Sequence, residues 1–255
     1  MARGRHGGRP AGVHTYGVAR VIAGEAGGRR LAVPDGRDTR PTSDRAREGL
    51  FATILSMVGS LAGARVLDLY AGSGAVGLEA LSRGAEHVLM VEHGARAARV
   101  IRQNIEAIGL PGAAVVADRV ERVLARGPGQ DGPSQDGPSQ DGPGGQDGPG
   151  QHGPGGQHGP GQHGPGGQDA SDQYRYDVVF ADPPYAMSEA EVTRMLSALA
   201  ENGWLAPGAL VIVERATRSG SLNWPDGFVP ARARRYGEAT FWYGHVPRTA
   251  GERAR

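Results

Sequence analysis

Residues 66–77 read VLDLYAGSGAVG, in which an apolar run containing one aspartate is followed by a glycine-rich stretch. The run predicts a buried strand, and Gly72, Gly74 and Gly77 have the G-x-G-x-x-G spacing of a turn that opens a helix. Glycines in such a turn let a ligand approach the backbone, and the helix N-terminus offers free N–H donors to an anionic group. This unit predicts a nucleotide-binding α/β fold, and its spacing fits NAD and S-adenosylmethionine equally well.

Strand and helix patterns alternate on both sides of this unit. Upstream, strands at 20–24 and 29–33 are predicted to form a small basic hairpin, and a helix starts at Ser43 or Asp44 and runs to about Val58. Alternation of this kind predicts an α/β fold with a doubly wound, mostly parallel sheet. Downstream, the glycine turn opens a helix that reaches Leu81, and two last strands within 229–243 are predicted to turn at Tyr236-Gly237. Between them, strands are predicted at 86–92, 113–117, 176–181 and 209–214, and helices are predicted at 95–108, 120–124 and 188–201.

One long segment carries no folding signal. Residues 127–169 consist only of Gly, Pro, Gln, Asp, His and Ser, so they bury no apolar surface to offset the entropy of ordering. We therefore expect a disordered insertion, which costs little because loop-closure entropy grows only logarithmically with length. The predicted organisation is a disordered basic arm at 1–16, the hairpin and helix at 17–64, an α/β domain at 65–245 interrupted by the insertion, and a disordered tail at 246–255.

The 255-residue chain has a net charge of only +1, yet its basic charge is concentrated near the start. Residues 1–47 hold ten arginines against four acidic residues, and the chain contains no lysine. Because cysteine is absent and the three histidines of the insertion lie on no predicted scaffold, no disulfide and no metal site are expected. The chain lacks an apolar run of about 18 residues and a signal-peptide core, which predicts a cytoplasmic protein without a membrane partner.

A second motif ends the strand predicted at 176–181. In Asp182-Pro183-Pro184-Tyr185 neither proline has an N–H to donate to a strand ladder, and both have a fixed φ. The resulting rigid loop lies at the carboxyl end of the strand, where open α/β sheets bind their ligands. A carboxylate, the Pro183 carbonyl and the ring of Tyr185 suit a planar ring that carries an amino group.

Acidic residues lie at the ends of three successive predicted strands: Asp68, Glu92 and Asp118. Glu92 follows Asp68 by 24 residues, about where an acid binds ribose hydroxyls in dinucleotide-binding folds, and Asp118 is placed to accept from an adenine amino group. A single acidic residue at a strand end is as often a solvated surface residue as it is part of a binding site. Three in succession beside a glycine turn indicate a binding site.

Together the two motifs resemble those of class I S-adenosylmethionine-dependent amino-methyltransferases. More narrowly, the chain resembles the bacterial 16S ribosomal RNA guanine-N2 methyltransferase family over about residues 18–245, apart from the insertion. Residues 39–42, TRPT, are the most family-specific part of the match. The match rests on residues 68–74 and 182–185, together with 20–24, 28–31, 39–45, 48–51, 77–85 and 236–237.

The resemblance implies a Rossmann-like, mostly parallel seven-stranded sheet, S-adenosylmethionine as cofactor and a guanine amino group as methyl acceptor. Asp182 and the Pro183 carbonyl would accept from that amino group, Tyr185 would stack on the base, and Pro184 would complete this catalytic loop. Glu92 would hold the ribose and Asp118 the adenine edge. The implied cofactor-binding set is Asp68, Ala71, Gly72, Ser73, Gly74, Gly77, Glu92 and Asp118, of which Asp68, Gly72, Ser73 and Gly74 would cradle the methionine part.

The implied partner is 16S ribosomal RNA, within the small ribosomal subunit, bound by a monomer. Since arginine forks suit phosphates, the basic hairpin and loop are predicted to bind RNA through Arg29, Arg30, Arg37, Arg40 and Arg45.

Four other readings of the motifs remain open. A DNA adenine-N6 methyltransferase shares Asp-Pro-Pro-Tyr, but the chain has no room for a separate target-recognition domain. A release-factor glutamine methyltransferase usually shows Asn where this chain has Asp182. An NAD-dependent dehydrogenase would use the glycine motif but leaves Asp-Pro-Pro-Tyr unexplained. A catalytically inactive RNA-binding module would not need an intact motif set.

Overall fold

The computed structural model describes residues 18–34, 43–129 and 174–248. The predicted arm at 1–16, most of the insertion, most of the C-terminal tail, and Arg37 and Arg40 lie outside the described residues. The strands are β1 (Val18–Arg20), β2 (Arg30–Ala32), β3 (Arg65–Leu69), β4 (His87–Val91), β5 (Ala113–Val116), β6 (Tyr176–Ala181), β7 (Leu205–Ala216), β8 (Val229–Tyr236) and β9 (Ala239–His245). The helices are α1 (Asp44–Val58), α2 (Ala75–Ser82), α3 (Ala95–Ile108), α4 (Val120–Arg126) and α5 (Glu189–Glu201).

Seven strands form one sheet in the order β5-β4-β3-β6-β7-β9-β8. Strands β3 to β7 pair in parallel, and β9 pairs antiparallel with both β7 and β8. The chain moves outward from β3 through β4 to β5 and then returns to β6 on the other side of β3. The sheet therefore reverses its order between β3 and β6, which is where doubly wound folds bind ligands. The predicted doubly wound, seven-stranded sheet is confirmed.

Alternate strand residues face opposite sides of the sheet, and each side has its own apolar core. Val66 and Phe180 point into a core covered by the β1–β2 hairpin, α1, α2 and α3. Leu67 and Val179 point into the other core, which α4 and α5 cover. These two layers bury the central strands on both faces, so β3 and β6 hold the loops at their carboxyl ends rigidly.

The hairpin departs from its predicted bounds, since its first strand is Val18–Arg20 and not 20–24. The N–H groups of Ile22 and Ala23 donate to the carboxylate of Glu79, at 2.6 and 3.1 Å, instead of to a second strand. Glu79 is fully buried in α2 and also accepts from Arg83 Nε at 2.7 Å. A buried carboxylate needs several donors, and the chain after Arg20 leaves the ladder to supply them.

Candidate active site

The glycine turn after β3 and the Asp-Pro-Pro-Tyr loop after β6 meet at the carboxyl edge of the sheet. They enclose a cavity of about 270 Å³, near the lower end of the range for small-molecule sites. Gly74, Gly77 and Asp118 do not line it, while nine predicted site residues do: Asp68, Ala71, Gly72, Ser73, Glu92, Asp182, Pro183, Pro184 and Tyr185. The sequence motifs thus converge on one site, with the apolar side chains of Val33, Val76 and Phe180 also in its wall.

The glycine turn shows two different uses of glycine. Gly72 and Gly74 have φ of 58° and 76°, a conformation that other residues rarely adopt. Gly77 is needed for packing, because a Cβ there would lie 2.8 Å from Met90 Cγ. Just before the turn, Tyr70 has φ of 61° and is the one non-glycine residue with positive φ in the described ranges. A tyrosine held in that region stores backbone strain at the wall of the cavity.

Asp68 is almost completely buried beneath this turn. Its Oδ2 accepts from the Gly77 N–H at 2.9 Å, so the carboxyl helps to fix the start of α2. Burial raises the pKa of Asp68 to about 7; the Glu92 carboxylate adds to the rise, and the Gly77 hydrogen bond opposes it. A cation bound beside a buried carboxyl of this kind would favour the ionised form of the carboxyl.

Glu92 reaches the cavity from the end of β4. Its Oε2 accepts from Gly72 N–H at 3.0 Å, and its Oε1 accepts from Gly94 N–H at 2.7 Å. These two bonds hold the carboxylate in one orientation against the glycine turn. Because a carboxylate has about four lone-pair positions, it retains capacity to accept from hydroxyl groups of a ligand.

The Asp118 side chain lies outside the cavity lining. Its carboxylate pairs with Arg126 and lies 3.6 Å from Arg122 Nη1, both on α4, and it also accepts from Arg119 N–H at 2.7 Å. The backbone hydrogen bond and the two arginines lower the pKa of Asp118. The predicted contact of Asp118 with an adenine edge therefore stays a prediction that this arrangement does not support.

The Asp-Pro-Pro-Tyr loop directly follows β6, the strand that pairs with β3. Asp182 N–H donates to the Leu69 carbonyl at 3.3 Å, which places the Asp182 side chain beside the glycine turn. Pro183 is buried, whereas 56% of Tyr185 is exposed. Burial raises the pKa of Asp182 well above its usual range, and the Glu214 and Asp68 carboxyls raise it further. The loop thus presents a carboxyl that binds protons strongly, next to an accessible aromatic ring.

Arg215, on β7, supports this loop and was missed by the sequence reasoning. It is 7% exposed, and its Nη1 donates to the Met187 carbonyl at 3.1 Å, two residues after Tyr185. Its Nη2 lies 3.9 Å from Glu189 Oε2 at the start of α5. An arginine inside an apolar strand run was the signal that could have found it.

Asn104 on α3 joins the hairpin to the glycine turn and was also missed. Its Nδ2 donates to Ala32 O and to Ser73 O, both at 2.9 Å, and its Oδ1 accepts from Ala32 N–H at 2.8 Å. Asn104 is 2% exposed and interrupts the buried stripe of Ala98, Ile101 and Ile108. A polar residue within an apolar helix stripe was the sequence signal here.

Arg47 on α1 is a third missed residue, and unlike Arg215 and Asn104 it lines the cavity. It is fully buried, and its Nη2 donates to Arg20 O and to Asp44 Oδ1, both at 2.7 Å. Burial lowers the pKa of its guanidinium, while the charges of Glu79 and Asp44 oppose that effect. Its position shows that α1 forms part of the site as well as part of the core.

The predicted RNA-binding arginines are only partly placed by the structure. Arg30 and Arg45 are exposed. Arg29 donates from Nη1 to the carbonyls of Ala107 and Ile108, at 3.2 and 2.7 Å, at the C-terminus of α3. One end of the Arg29 guanidinium thus caps a helix, so its predicted phosphate contact is the weakest of the described three.

The described ranges provide two further observations on the class of site. They contain no cluster of three or more His, Asp or Glu placed to hold a metal ion. None of their helices has the length and apolar character that crossing a bilayer requires. The cavity instead combines carboxyl groups with apolar walls, which suits an organic ligand that carries both positive charge and a flat ring.

Comparisons with known proteins agree with this architecture. Residues 19–134 and 166–245 match the family model described as conserved hypothetical protein 95. The ribosomal RNA small subunit methyltransferase D of Escherichia coli K12 is 29% identical over 225 residues, which cover 88% of each chain. The protein of the same name from Haemophilus influenzae is 29% identical over 199 residues, covering 78% of this chain and 79% of that one. A solved Escherichia coli structure, named as a methyltransferase, superposes with a TM-score of 0.66 at 26% identity and covers 91% of this chain and 100% of its own.

Proposed function

The chain belongs to the family described as conserved hypothetical protein 95, and from that premise we propose that it transfers a methyl group from S-adenosylmethionine to the exocyclic N2 amine of a guanine in 16S ribosomal RNA. The relatives named ribosomal RNA small subunit methyltransferase D support the reaction and the substrate class. The observation that carries the proposal is the meeting of the glycine turn and the Asp-Pro-Pro-Tyr loop in one cavity.

The cavity fits this cofactor by its chemistry. S-adenosylmethionine carries positive charge on its sulfonium and amino groups, and Asp68 is a buried carboxyl that a neighbouring cation would favour in the ionised form. Glu92 is held rigidly with capacity to accept from ribose hydroxyls. Ala71, Gly72 and Ser73 bring backbone to the same wall. The donors and acceptors of the chain therefore match the charged and hydroxyl groups of the cofactor.

The catalytic loop is suited to an amino group attached to a planar base. Bound S-adenosylmethionine supplies an already activated methyl group, so the protein mainly has to position the acceptor, which accounts for about 7–11 kcal/mol in well-oriented reactions. Asp182 and the Pro183 carbonyl accept from the two N–H groups of the amine and direct its lone pair. Tyr185 is exposed and offers a stacking face worth about 1–3 kcal/mol.

The raised pKa of Asp182 also suits it to accept a proton during the reaction. When the nitrogen–carbon bond forms and the carbon–sulfur bond breaks, the methylated amine must lose one proton. A carboxylate whose pKa is held well above the usual range is a better acceptor for that proton than an ordinary aspartate. Asp182 would thus orient the amine before transfer and take its proton afterwards. Neither role needs a metal or a nucleophilic side chain.

The finer parts of the proposal concern the partner. We place the target in the small ribosomal subunit, acted on by a cytoplasmic monomer. The exposed Arg30 and Arg45 lie on elements that flank the cavity, where they would contact phosphates of the substrate.

The test uses labelled S-adenosylmethionine with small ribosomal subunits from a strain that lacks this enzyme, followed by nucleoside analysis of the RNA. Label in N2-methylguanosine is the expected result, and Asp182→Ala should abolish it while cofactor binding persists. Cofactor binding without label in guanine would favour a DNA adenine or a protein target. A protein that binds no S-adenosylmethionine would contradict the proposal altogether.

A further inference from the structure

Strand β8 forms the outer edge of the sheet and carries a row of arginines. Its sequence is VPARARRY, and every residue from Val229 to Arg235 is exposed. Within the described ranges, the side chains of Arg232 and Arg234 form no ion pair or hydrogen bond, and the side chain of Arg235 donates only to its own turn, at Gly237 O. The edge therefore presents unneutralised positive charge.

The strand register connects this edge to the catalytic loop. Ala181 on β6 pairs with Val213 on β7, Val213 pairs with Trp242 on β9, and Trp242 pairs with Ala233 on β8. Strands β6 and β8 run in the same direction, so the residues that follow this row, Asp182 and Arg234, both lie at the carboxyl edge. Three strand spacings of about 4.8 Å separate them by about 14 Å.

Arg232 and Arg234 also lie on the same face of the sheet as the cavity wall. Across the ladder between β8 and β9, Arg232 pairs with Tyr243 and Arg234 pairs with Phe241. Paired residues share a face of the sheet, and Tyr243 and Phe241 both belong to the core beneath α1. On that face, the cavity-lining Phe180 contacts Phe241, with ring centroids 6.1 Å apart, and Phe241 contacts Tyr236 of β8 at 5.3 Å. A continuous aromatic row thus leads from the cavity to the base of the arginine row.

We propose that β8 binds the phosphate backbone of the RNA substrate beside the target nucleotide, through Arg232 and Arg234. This inference rests on the proposed function, because it identifies where the RNA continues once its target base lies in the cavity. A stacked strand covers about 14 Å in about four nucleotides at a rise of roughly 3.4 Å. The arginine side chains therefore meet phosphates a few nucleotides from the methylated guanine.

A different reason for charge on an edge strand is protection from pairing with another chain. Pro230 and the arginines would serve that purpose at β8 whether or not RNA binds there. Glutamate protects an edge as arginine does, because both are charged, but it repels phosphate. Exchange of the sign of the charge separates the two roles.

The experiment compares methyl transfer by the wild type, the double variant Arg232→Glu with Arg234→Glu, and the matched double variant Arg99→Glu with Arg102→Glu. Arg99 and Arg102 are exposed on α3, which packs near β5 at the other end of the sheet. The β8 variant should raise the KM for ribosomal RNA by about tenfold or more, because phosphate contacts carry much of such affinity. Its Kd for S-adenosylmethionine and its monomeric state should not change, and the α3 variant should stay near wild type.

Two milder double variants keep the test decisive if the glutamates prevent folding. Arg232→Lys with Arg234→Lys should retain the KM, and glutamine at both positions should reduce the slope of log affinity against log salt by about 2. An unchanged KM and slope in the β8 variants, with an active wild type, overturns this inference but not the proposed function. An equal rise of KM in the α3 variant would also overturn it, since any lost positive charge would then suffice. A wild type inactive on ribosomal RNA overturns both.

Discussion

Asp182 directly follows β6, and Asp68 is the last residue but one of the neighbouring parallel strand β3. Burial raises the pKa of Asp182, and the Asp68 carboxyl is one of the groups that raise it further. Because burial raises the pKa of Asp68 to about 7, this carboxyl is partly protonated near neutral pH. A cation bound beside Asp68 would favour its ionised form, and its proton would be released.

Cofactor binding should therefore release protons and strengthen as the pH rises. We expect the affinity for S-adenosylmethionine to increase from about pH 5 to pH 8, since the pKa of Asp68 is raised to about 7. Calorimetry in buffers of different ionisation enthalpy measures the number of protons released. Asp68→Asn should release fewer protons, whereas Glu191→Gln, a change outside the cavity, should release as many as wild type. Proton uptake on binding would contradict the assignment of Asp68 to the cationic cofactor.

The same carboxyl should make the ligand-free protein less stable as the pH rises. Asp68 has a pKa of about 7 when folded and about 3.8 when unfolded, so between these values the folded state binds more protons than the unfolded state. The free energy of unfolding then falls across this window, by about 4 kcal/mol at most, at about 1.4 kcal/mol per pH unit. Urea unfolding at pH 5 and pH 7.5 measures the loss. It should be smaller in Asp68→Asn, which keeps the acceptor for Gly77 N–H, and an identical loss would assign it to other groups.

Asp182 should matter for the reaction more than for cofactor affinity. Asp182→Asn keeps one acceptor for the amine but cannot take its proton, and Asp182→Ala loses both properties. We expect the rate of methyl transfer to fall by at least about 100-fold in the alanine variant, as for other losses of positioning, and less in the asparagine variant. Single-turnover rates at saturating RNA, together with cofactor Kd values, make this comparison. Equal losses of rate and cofactor affinity would indicate that Asp182 is structural.

The sequence predicted the doubly wound, mostly parallel sheet and the two loops at its carboxyl edge. These features have local signals: the periodicity of the strands and helices, the glycine motif and the Asp-Pro-Pro-Tyr motif. It failed where a buried polar group makes long-range bonds. β1 stops at Arg20 because Ile22 and Ala23 bond to Glu79, which lies more than 50 residues away. Arg215 and Asn104 act in the site through backbone carbonyls of distant residues, and no local pattern assigns such partners.

Arg215 should behave as a positioning residue for the catalytic loop. Arg215→Gln removes the charged donor to the Met187 carbonyl, which loosens the chain just after Tyr185. We expect kcat to fall by about 10- to 100-fold with little change in cofactor Kd, because a small displacement of the loop suffices for such a loss. Arg218→Gln is the matched control, three residues away and exposed. Arg215→Lys should recover part of the activity, and a variant with wild-type kcat would exclude the role.

The effect of Gly49→Ala on the stability of the protein should change sign when the ring of Tyr236 is removed, as a double-mutant cycle would show. Gly49 lies inside α1, and a Cβ there would come within 2.3 Å of the Tyr236 hydroxyl and 2.5 Å of its ring. In the wild type, Gly49→Ala should therefore destabilise the protein by about 1–3 kcal/mol, as overpacking does. In a Tyr236→Ala background the clash is gone, and the same change should stabilise the protein by up to about 1 kcal/mol through helix propensity. Chemical unfolding of the four proteins measures the coupling. If Gly49→Ala has the same effect in both backgrounds, the ring of Tyr236 does not pack on α1. In that case β8 does not contact the helix that bears Arg47 through this ring.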